Sequence, residues 1–221
     1  MTRELCAIVG VGPGLGLALA KRFGMENFRL ALLARKIEAL QEFQAELGQV
    51  GIDSESYQAD AGDIKSLENA FRQINSTQDA PAVLIYNAAV LKGGTGSQLQ
   101  PNKLQEEFNV NVVGALASAR LVIPNMQERH AGTILFTGGG LALNPSAQFA
   151  SLSIGKAGLR SLSLSLASEL EPKGIHVATV TIGGIVRPNS RFSPERIAQI
   201  FWALHIQPSG EYEREIVYKG V

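Results

Sequence analysis

The sequence is poor in the residues that mark several other classes of protein. Cys6 is the only cysteine among 221 residues, which excludes an intramolecular disulfide framework and a cysteine-rich zinc site. The histidines show no metal-ligand spacing, so we predict no metal site. The 20 basic residues balance the 20 acidic ones, and the chain therefore lacks the charge excess of a protein that binds nucleic acid or an anionic membrane.

Long hydrophobic runs and processing signals are also missing. No apolar run reaches the ~18 residues that a membrane-spanning helix needs, and no basic segment followed by a long apolar one marks a signal peptide. Neither internal repeats nor a Pro/Gly/Ser-rich linker divides the chain. With a hydrophobic fraction of 45%, residues 1–221 can bury a sizeable core, and we expect a single domain in the reducing cytoplasm.

The sequence does contain an alternation of short apolar runs and stretches with helical spacing. Repeated β-α-β units predict an α/β protein, in which a doubly wound, mostly parallel sheet of six to seven strands has helices on both faces. The strands are predicted at 5–9, 28–34, 54–59, 82–86, 133–137 and 176–182, with an edge strand at 215–218. The helices are predicted at 15–23, 36–47, 64–74, 103–129, 151–170 and 194–204.

One helical segment also has the pattern of a strand, because residues 161–166 alternate serine and leucine. We nevertheless predict a helix, since the leucines from Leu159 to Leu170 are also spaced by three and four residues. Leucines on more than one face of a helix indicate burial on more than one side. We therefore expect a homodimer or homotetramer that pairs through the helices at 103–129 and 151–170.

A cluster of glycines follows the first predicted strand, in the segment Gly10-Val11-Gly12-Pro13-Gly14-Leu15-Gly16. Glycines at a strand-to-helix turn let the backbone approach a pyrophosphate, and the helix N-terminus offers free N–H groups and the positive end of its dipole. The spacing is Gly-x3-Gly-x-Gly, so a plain strand-to-helix turn is the alternative. We interpret the turn as a dinucleotide site.

The end of the second strand indicates which dinucleotide would bind. A site for NAD(H) places an acidic residue there to bind the ribose 2′-hydroxyl. This chain has Ala34-Arg35-Lys36 instead, and an arginine can pair with a 2′-phosphate that an acid would repel. The alternative is that both cations only begin a solvated helix. We predict that NADP(H) is preferred over NAD(H).

Along essentially its whole length the chain resembles the short-chain dehydrogenase/reductase family. Gly10, Gly14 and Gly16 match the family's glycine motif, although Val9 replaces the usual threonine. The segment 86–89 resembles the family's Asn-Asn-Ala-Gly with its first and last residues changed. The resemblance implies a single-domain Rossmann fold and an oxidoreductase that uses a nicotinamide dinucleotide.

Five further residues carry the resemblance. Asp60 matches the aspartate beside the adenine, Asn111 the structural and catalytic asparagine, and Lys156 the lysine of the Tyr-x3-Lys motif. Gly183-Gly184 stands where the family usually has Pro-Gly. The resemblance thereby implies a cofactor site formed by Gly10, Gly12, Gly14, Leu15, Gly16, Arg35, Asp60, Ala61, Asn87, Ala88, Ala89, Lys156, Gly183 and Val186.

The family's proton-transfer residues are only partly present. In the family a tyrosine exchanges the substrate proton, the lysine four residues later lowers the pKa of that tyrosine and binds the nicotinamide ribose, and a serine orients the carbonyl. Four residues before Lys156 this chain has Leu152, and the serine position falls on Gly139 within a run of three glycines. Asn111 and Lys156 are the catalytic positions that remain.

Three kinds of residue are candidates for replacing the tyrosine. Ser151 and Ser153 flank Leu152, but each points about 100° away around the helix, which favours a place at the helix surface or at an interface. Tyr86 is better explained by packing. Lys156 could carry the proton itself if burial lowered its pKa.

The segment after the sixth strand also departs from the family. Only nine residues, 185–193, separate Gly184 from the helix signal at Pro194. One helical turn already takes about four residues, so this segment is too short for the two-helix lid that the resemblance implies. We expect a shortened substrate lid near 185–193. An open site excludes water poorly and weakens electrostatic catalysis.

Three functions follow from these observations. We predict an NADP(H)-dependent oxidoreductase with an atypical active site, since hydride transfer is carried out by the cofactor and needs mainly positioning. The alternative is a non-catalytic NADP(H)-binding sensor or regulatory partner protein, which accounts for a retained cofactor cleft without the tyrosine. A structural relative that no longer binds nucleotide is disfavoured by the intact glycine spacing.

Overall fold

The fold is built on one parallel sheet. The structure, a computed structural model, describes residues 3–220. The strands are β1 (Leu5–Val9), β2 (Arg29–Ala34), β3 (Ser54–Gln58), β4 (Val83–Tyr86), β5 (Gly132–Gly139), β6 (Ile175–Ile182) and β7 (Glu215–Tyr218). They pair in the order β3-β2-β1-β4-β5-β6-β7, and every pair is parallel. The predicted doubly wound sheet is confirmed, with β7 at one edge.

Helices connect the strands. Within the described residues they are α1 (Leu15–Met25), α2 (Ile37–Gln49), α3 (Ile64–Thr77), α4 (Pro101–Phe108), α5 (Gly114–Arg129), α6 (Ala150–Leu170) and α7 (Pro194–His205). A carboxylate oxygen of Asp63 accepts the Lys65 N–H at 2.9 Å and caps α3. Ser193 caps α7 ahead of Pro194, whose missing N–H costs nothing at a first helical position.

The helix predicted over 103–129 is present but is not α-helical throughout. A π-helical turn at Asn109–Val113 separates α4 from α5. Such turns widen the helix locally and are frequent at functional sites; this one contains Asn111. Directly after it, Gly114 leaves no space for a side chain against the Ala61 carbonyl and the Tyr86 hydroxyl, which holds the start of α5 close to the sheet.

The serine-leucine segment is helical, as predicted, and lies within α6. Leu159, Leu166 and Leu170 are buried, whereas Ser161 and Ser165 are exposed. The 3.6-residue period of the helix therefore decides which side chains are buried, and the alternation of serine and leucine does not.

Two hydrophobic clusters cover the two faces of the sheet. Helices α3, α5 and α6 pack on one face, and α1, α2 and α7 pack on the other. Because both faces are covered, the strands read as near-continuous apolar runs, and all five residues of β1 are buried. Within residues 3–220, no helix is both long enough and apolar enough to span a bilayer.

The carboxyl ends of the strands provide the place for a site. The chain order reverses at β1, which lies between β2 and β4, and ligands of open α/β sheets bind in the crevice at such a switch point. Strands β5 and β6 extend the same edge. Residues 183–193 lead from β6 to α7 without forming a helix.

Candidate functional site

The glycine turn after β1 contains two glycines that packing requires and two that it leaves open. Gly10 has a φ of +92°, and a Cβ there would overlap the backbone of Ala88. A Cβ on Gly16 would lie 2.8 Å from a backbone carbon of the preceding turn, whereas a Cβ on Gly12 or Gly14 would meet no atom within 4 Å. Gly10 and Gly16 therefore fit the turn to the rest of the fold, and Gly12 and Gly14 border open space.

The start of α1 at Leu15 adds an electrostatic feature to this turn. Within the part of the chain that the structure describes, no side chain caps this end, and the first turn of α1 contains no acidic residue. The first N–H groups of a helix lack intrahelical acceptors, and the helix dipole attracts anions to this end. A pyrophosphate suits such an end, and Gly12 and Gly14 leave room for it. These residues fit the dinucleotide that the sequence implies.

Arg35 and Asp60 follow β2 and β3 and line one depression of about 300 Å³. A carboxylate oxygen of Asp60 accepts the N–H of Gly62 at 2.8 Å, which fixes the turn after β3. The guanidinium of Arg35 is exposed, and no ion pair among the described residues includes it. Arg35 therefore places an unpaired cation at the strand next to the glycine turn.

Three hydrogen bonds join the glycine turn to Lys156. The Asn87 side-chain amide donates to the Gly10 carbonyl at 2.8 Å, and its oxygen accepts from the Thr137 hydroxyl at 3.0 Å. The Thr137 carbonyl accepts from Lys156 Nζ at 2.6 Å. Sequence reasoning missed Thr137; its only signal is a hydroxyl at the end of β5, the strand next to that of Asn87.

Lys156 is buried, with 7% of its surface exposed. Its side-chain carbons lie 3.4–3.5 Å from the position of a Cβ on Gly139. Burial lowers the pKa of Lys156 from 10.5 to about 8, because the charged form loses its hydration. The bond to the Thr137 carbonyl opposes this shift, and no carboxylate among the described residues pairs with the amine.

The positions predicted to correspond to the family's tyrosine and serine, Leu152 and Gly139, carry no polar side chain. Leu152 is buried on α6, four residues before Lys156. A Cβ on Gly139 would meet only the flexible stem of the lysine, so packing leaves room for a small side chain there. Gly138 has no such room, because a Cβ on it would lie 2.6 Å from the hydroxyl of Thr179.

The prediction that Ser151 and Ser153 lie at the helix surface or at an interface is wrong. They are only 7% and 4% exposed in the single chain, because α6 packs inward from its first turn. The Ser153 hydroxyl donates to the Phe149 carbonyl at 2.8 Å and accepts the N–H of Ser146 at 3.1 Å. The Ser151 hydroxyl has no partner within the described part of the chain.

Asn111 and Tyr86 support the segment after β4. The Asn111 side-chain oxygen accepts the Val90 N–H at 2.8 Å, and its amide nitrogen is buried against Gly155 without a partner among the described residues. Tyr86 donates to the Val110 carbonyl, and burial raises the pKa of Tyr86 above its ordinary value. Tyr86 is thus a packed residue that stays protonated.

The residues predicted after β6 lie at the same edge. Gly183 donates its N–H to the Tyr218 carbonyl at 2.9 Å, and Val186 packs partly buried against the core. The predicted cofactor residues fall after β1 (Gly10, Gly12, Gly14, Leu15, Gly16), after β2 (Arg35), after β3 (Asp60, Ala61), after β4 (Asn87, Ala88, Ala89), after β6 (Gly183, Val186) and on α6 (Lys156). No group of His, Cys, Asp and Glu within residues 3–220 could hold a metal ion.

Comparison with known proteins identifies the family. A sequence model of the short chain dehydrogenase family matches residues 4–196, and the chain belongs to this family. An uncharacterized oxidoreductase of Mycobacterium tuberculosis is 30% identical over 192 residues, which cover 84% of this chain and 74% of that protein. A 3-oxoacyl-[acyl-carrier-protein] reductase of Bos taurus is 25% identical over 182 residues, covering 82% and 76%.

Solved structures share the fold over nearly the whole chain. A short-chain dehydrogenase from Rhodopseudomonas palustris is 25% identical and superimposes with a TM-score of 0.88, covering 98% of both chains. A metagenomic short-chain oxidoreductase in complex with NADP is 24% identical, with a TM-score of 0.89 and coverage of 97% of this chain and 96% of that one. The sequence model therefore shows that the chain belongs to this family, and the solved structures show that it has the fold of a short-chain dehydrogenase.

Proposed function

We propose that this chain is an NADP(H)-dependent oxidoreductase with an atypical active site. The observation that carries the proposal is the glycine turn, where Gly12 and Gly14 leave open space at the uncapped start of α1. Arg35 supports the preference for NADP(H), since its guanidinium can pair with a 2′-phosphate. The metagenomic relative bound to NADP supports the same cofactor. When bound, the cofactor supplies or accepts a hydride.

The chain's own residues would then hold the reactants and exchange the proton. Asn111 fixes the backbone at Val90 beside the crevice, and Lys156 would bind the nicotinamide ribose. Because Leu152 has no proton to exchange, the family's tyrosine mechanism is not available here. Lys156 supports proton exchange instead, since a pKa of about 8 lies near neutral pH. We take residues 1–221 as one cofactor-binding domain whose lid, near 185–193, is shortened.

Calorimetric titration with NADPH tests the cofactor assignment. A methyl group at Gly12→Ala meets no protein atom but enters the space left for the pyrophosphate. We expect binding to weaken at least about tenfold, which corresponds to only 1.4 kcal/mol, with urea unfolding unchanged. Gly48→Ala is the matched control, because its methyl group also meets no atom. Equal affinity of the two variants would remove the assignment.

A second titration tests the preference for NADP(H). Arg35→Ala should weaken the binding of NADPH by about tenfold or more, because a charge-assisted hydrogen bond is lost. The binding of NADH should weaken much less. Equal loss for both dinucleotides would leave no role for Arg35 at a 2′-phosphate. Lys156→Ala should weaken the binding of both dinucleotides, because it removes a contact to the nicotinamide ribose. Unchanged affinity would contradict the assignment of Lys156 to the ribose.

A non-catalytic NADP(H)-binding sensor or regulatory protein is the second candidate. The observation that favours it is the pair of apolar positions, Leu152 and Gly139, beside a buried lysine that already has a carbonyl partner. A turnover screen with NADPH and varied carbonyl compounds separates the two candidates. Leu152→Tyr serves as the gain-of-function control. Turnover by the variant alone favours the sensor, and turnover by the natural chain favours the enzyme.

We also propose that the chain forms a homodimer or homotetramer through α5 and α6. Leu116 on α5 and Ile154 on α6 are 38% and 44% exposed, so each of the two helices offers an apolar side chain to a partner. Light scattering coupled to gel filtration measures the mass directly. A monomeric mass at micromolar concentration would contradict the proposal.

A further inference from the structure

Three loops at the carboxyl edge of the sheet form one connected surface. We call residues 87–100, 140–149 and 183–193 the edge loops; they follow β4, β5 and β6. Gly94 donates its N–H to the Gln148 carbonyl at 2.7 Å and accepts the Ala150 N–H at 3.0 Å, which joins the first loop to the second. A Cβ on Gly140 would lie only 3.2 Å from the Gly183 Cα, so the second loop packs directly against the third.

The edge loops carry charge of one sign only. They contain no Asp or Glu, although the whole chain has as many acidic as basic residues. Their cations are Lys92, Arg187 and Arg191. The stem of Arg191 lies beside Gly220, which follows β7. Lys92 and Arg187 are exposed, and no ion pair among residues 3–220 includes them.

The same loops expose large apolar side chains. Leu91 and Ile185 are 72% and 79% exposed, and Leu143 and Phe149 are about two-fifths exposed. The Phe149 ring lies against Gly93, and the bonds between Gly94 and its neighbours hold that contact in place. Each strongly exposed residue has a cation within two positions, Lys92 beside Leu91 and Arg187 after Ile185. Exposed apolar side chains with adjacent charges, on loops that pack together, are a combination typical of a ligand-binding surface.

We propose that the edge loops bind an aliphatic carboxylate, and that the substrate is accordingly an aliphatic oxo acid or the matching hydroxy acid. Lys92 and Arg187 bind the carboxylate, and Leu91, Leu143 and Phe149 contact the chain. The ends of β4 and β6, from which the first and third edge loops depart, are two strand spacings, or about 10 Å, apart, and the second edge loop contacts both. An oxo acid and its hydroxy acid differ by one hydride on carbon, exchanged with the cofactor, and one proton on oxygen, whose exchange the proposed function assigns to Lys156.

The cofactor does not account for these cations. Its phosphates are assigned to the glycine turn after β1 and to Arg35 after β2, on the other side of β4 in the sheet. A neutral or cationic substrate would gain nothing from Lys92 and Arg187, and a small polar anion would gain nothing from Leu91 or Ile185. Only a ligand with both an anionic group and an apolar body uses all of these side chains.

Calorimetric titration of the full chain with four matched probes tests the binding. We expect octanoate to bind at least about tenfold more tightly than 1-octanol or octylamine, because only the carboxylate complements the loop cations. Octanoate should also bind at least about tenfold more tightly than butanoate, because four further methylenes become buried. Equal affinity for octanoate and 1-octanol, tighter binding of octylamine, equal affinity for butanoate, or no binding at all would each overturn the proposal.

Charge-reversal variants locate the site. Lys92→Glu and Arg187→Glu should each weaken octanoate by about fivefold or more, since an attraction becomes a repulsion. Arg72→Glu is the matched control, because Arg72 is equally exposed but lies on α3, outside the edge loops. The same loss in the control as in Arg187→Glu, or no loss in either edge-loop variant, would overturn the assignment.

The assignment as substrate rests on the proposed function, but the binding does not. Each probe is therefore titrated both alone and after saturation with NADP+, and NADP+ itself is titrated into the same sample. If NADP+ fails to bind while octanoate binds, the oxidoreductase proposal fails and the anion site stands. If NADP+ binds and octanoate does not, the anion site fails and the oxidoreductase proposal stands.

Discussion

Replacing Lys156 by methionine should change the stability of the fold in a way that depends on pH. Methionine keeps the apolar stem beside Gly139 but removes the buried charge. Each pKa unit corresponds to about 1.4 kcal/mol, so the fall in the pKa of Lys156 from 10.5 to about 8 corresponds to about 3 kcal/mol. This is the cost of holding the ammonium in the folded state.

The sign follows from which state binds the proton. Below pH 8 both the folded and the unfolded chain carry the proton on Lys156, and the full cost acts on the natural protein. Between pH 8 and 10.5 only the unfolded chain still binds it, so the unfolding free energy of the natural protein rises with pH. The advantage of Lys156→Met should therefore shrink by about 3 kcal/mol over this range.

Urea unfolding of both proteins from pH 6 to 10.5 measures this change. The lost hydrogen bond to Thr137 shifts the absolute difference, and all other titrating groups are common to both chains, so only the trend of the difference with pH is interpreted. Lys65→Met, which makes the same substitution at an exposed position on α3, is the control. A difference that is the same at pH 7 and pH 10.5 would show that Lys156 titrates like an exposed lysine.

Three further outcomes are expected. Gly10→Ala should lower the unfolding free energy by at least about 2 kcal/mol, because of the positive φ and the overlap with Ala88. An unfolding free energy equal to that of Gly12→Ala would contradict this. Burial lowers the pKa of His205 to about 4, so only the unfolded state takes up a proton as pH falls below about 6.5. The unfolding free energy therefore falls by at most about 3 kcal/mol by pH 4. In unfolding curves recorded at acid pH, His205→Gln should lose less stability than the natural chain. Thr137→Val should cost about 1 kcal/mol in urea, since the bond to Asn87 is lost; an unchanged midpoint would remove that bond from the network.

The parts of the site that depend on backbone conformation were predictable from the sequence. A glycine with a positive φ against a neighbouring backbone admits no other residue without strain. The presence of glycine at position 10 therefore indicates the turn conformation that the structure shows. Apolar runs separated by helical stretches predict a buried parallel sheet in the same direct way. The positions of Arg35 and Asp60 then follow, because the carboxyl ends of parallel strands meet at one edge.

The parts that depend on long-range packing were not predictable. The π-helical turn at Asn109–Val113 could not be predicted, because the spacing of the apolar residues around it is also that of a single α-helix. The burial of Ser151 and Ser153 depends on how α6 sits against its neighbours, which helical spacing alone does not determine. Likewise, the partner of Lys156 is a backbone carbonyl, which every residue has, so no residue type indicates it.

The surroundings of Lys156 predict that the proposed cofactor site does not depend on the residue at position 152. Its amine is held by the Thr137 carbonyl, and Thr137 is joined through Asn87 to the carbonyl of Gly10. None of these bonds involves residue 152, so the glycine turn and the lysine keep their geometry with a leucine there. Substitution at Leu152 should therefore change turnover without changing NADPH affinity, whereas substitution at Lys156 should change both.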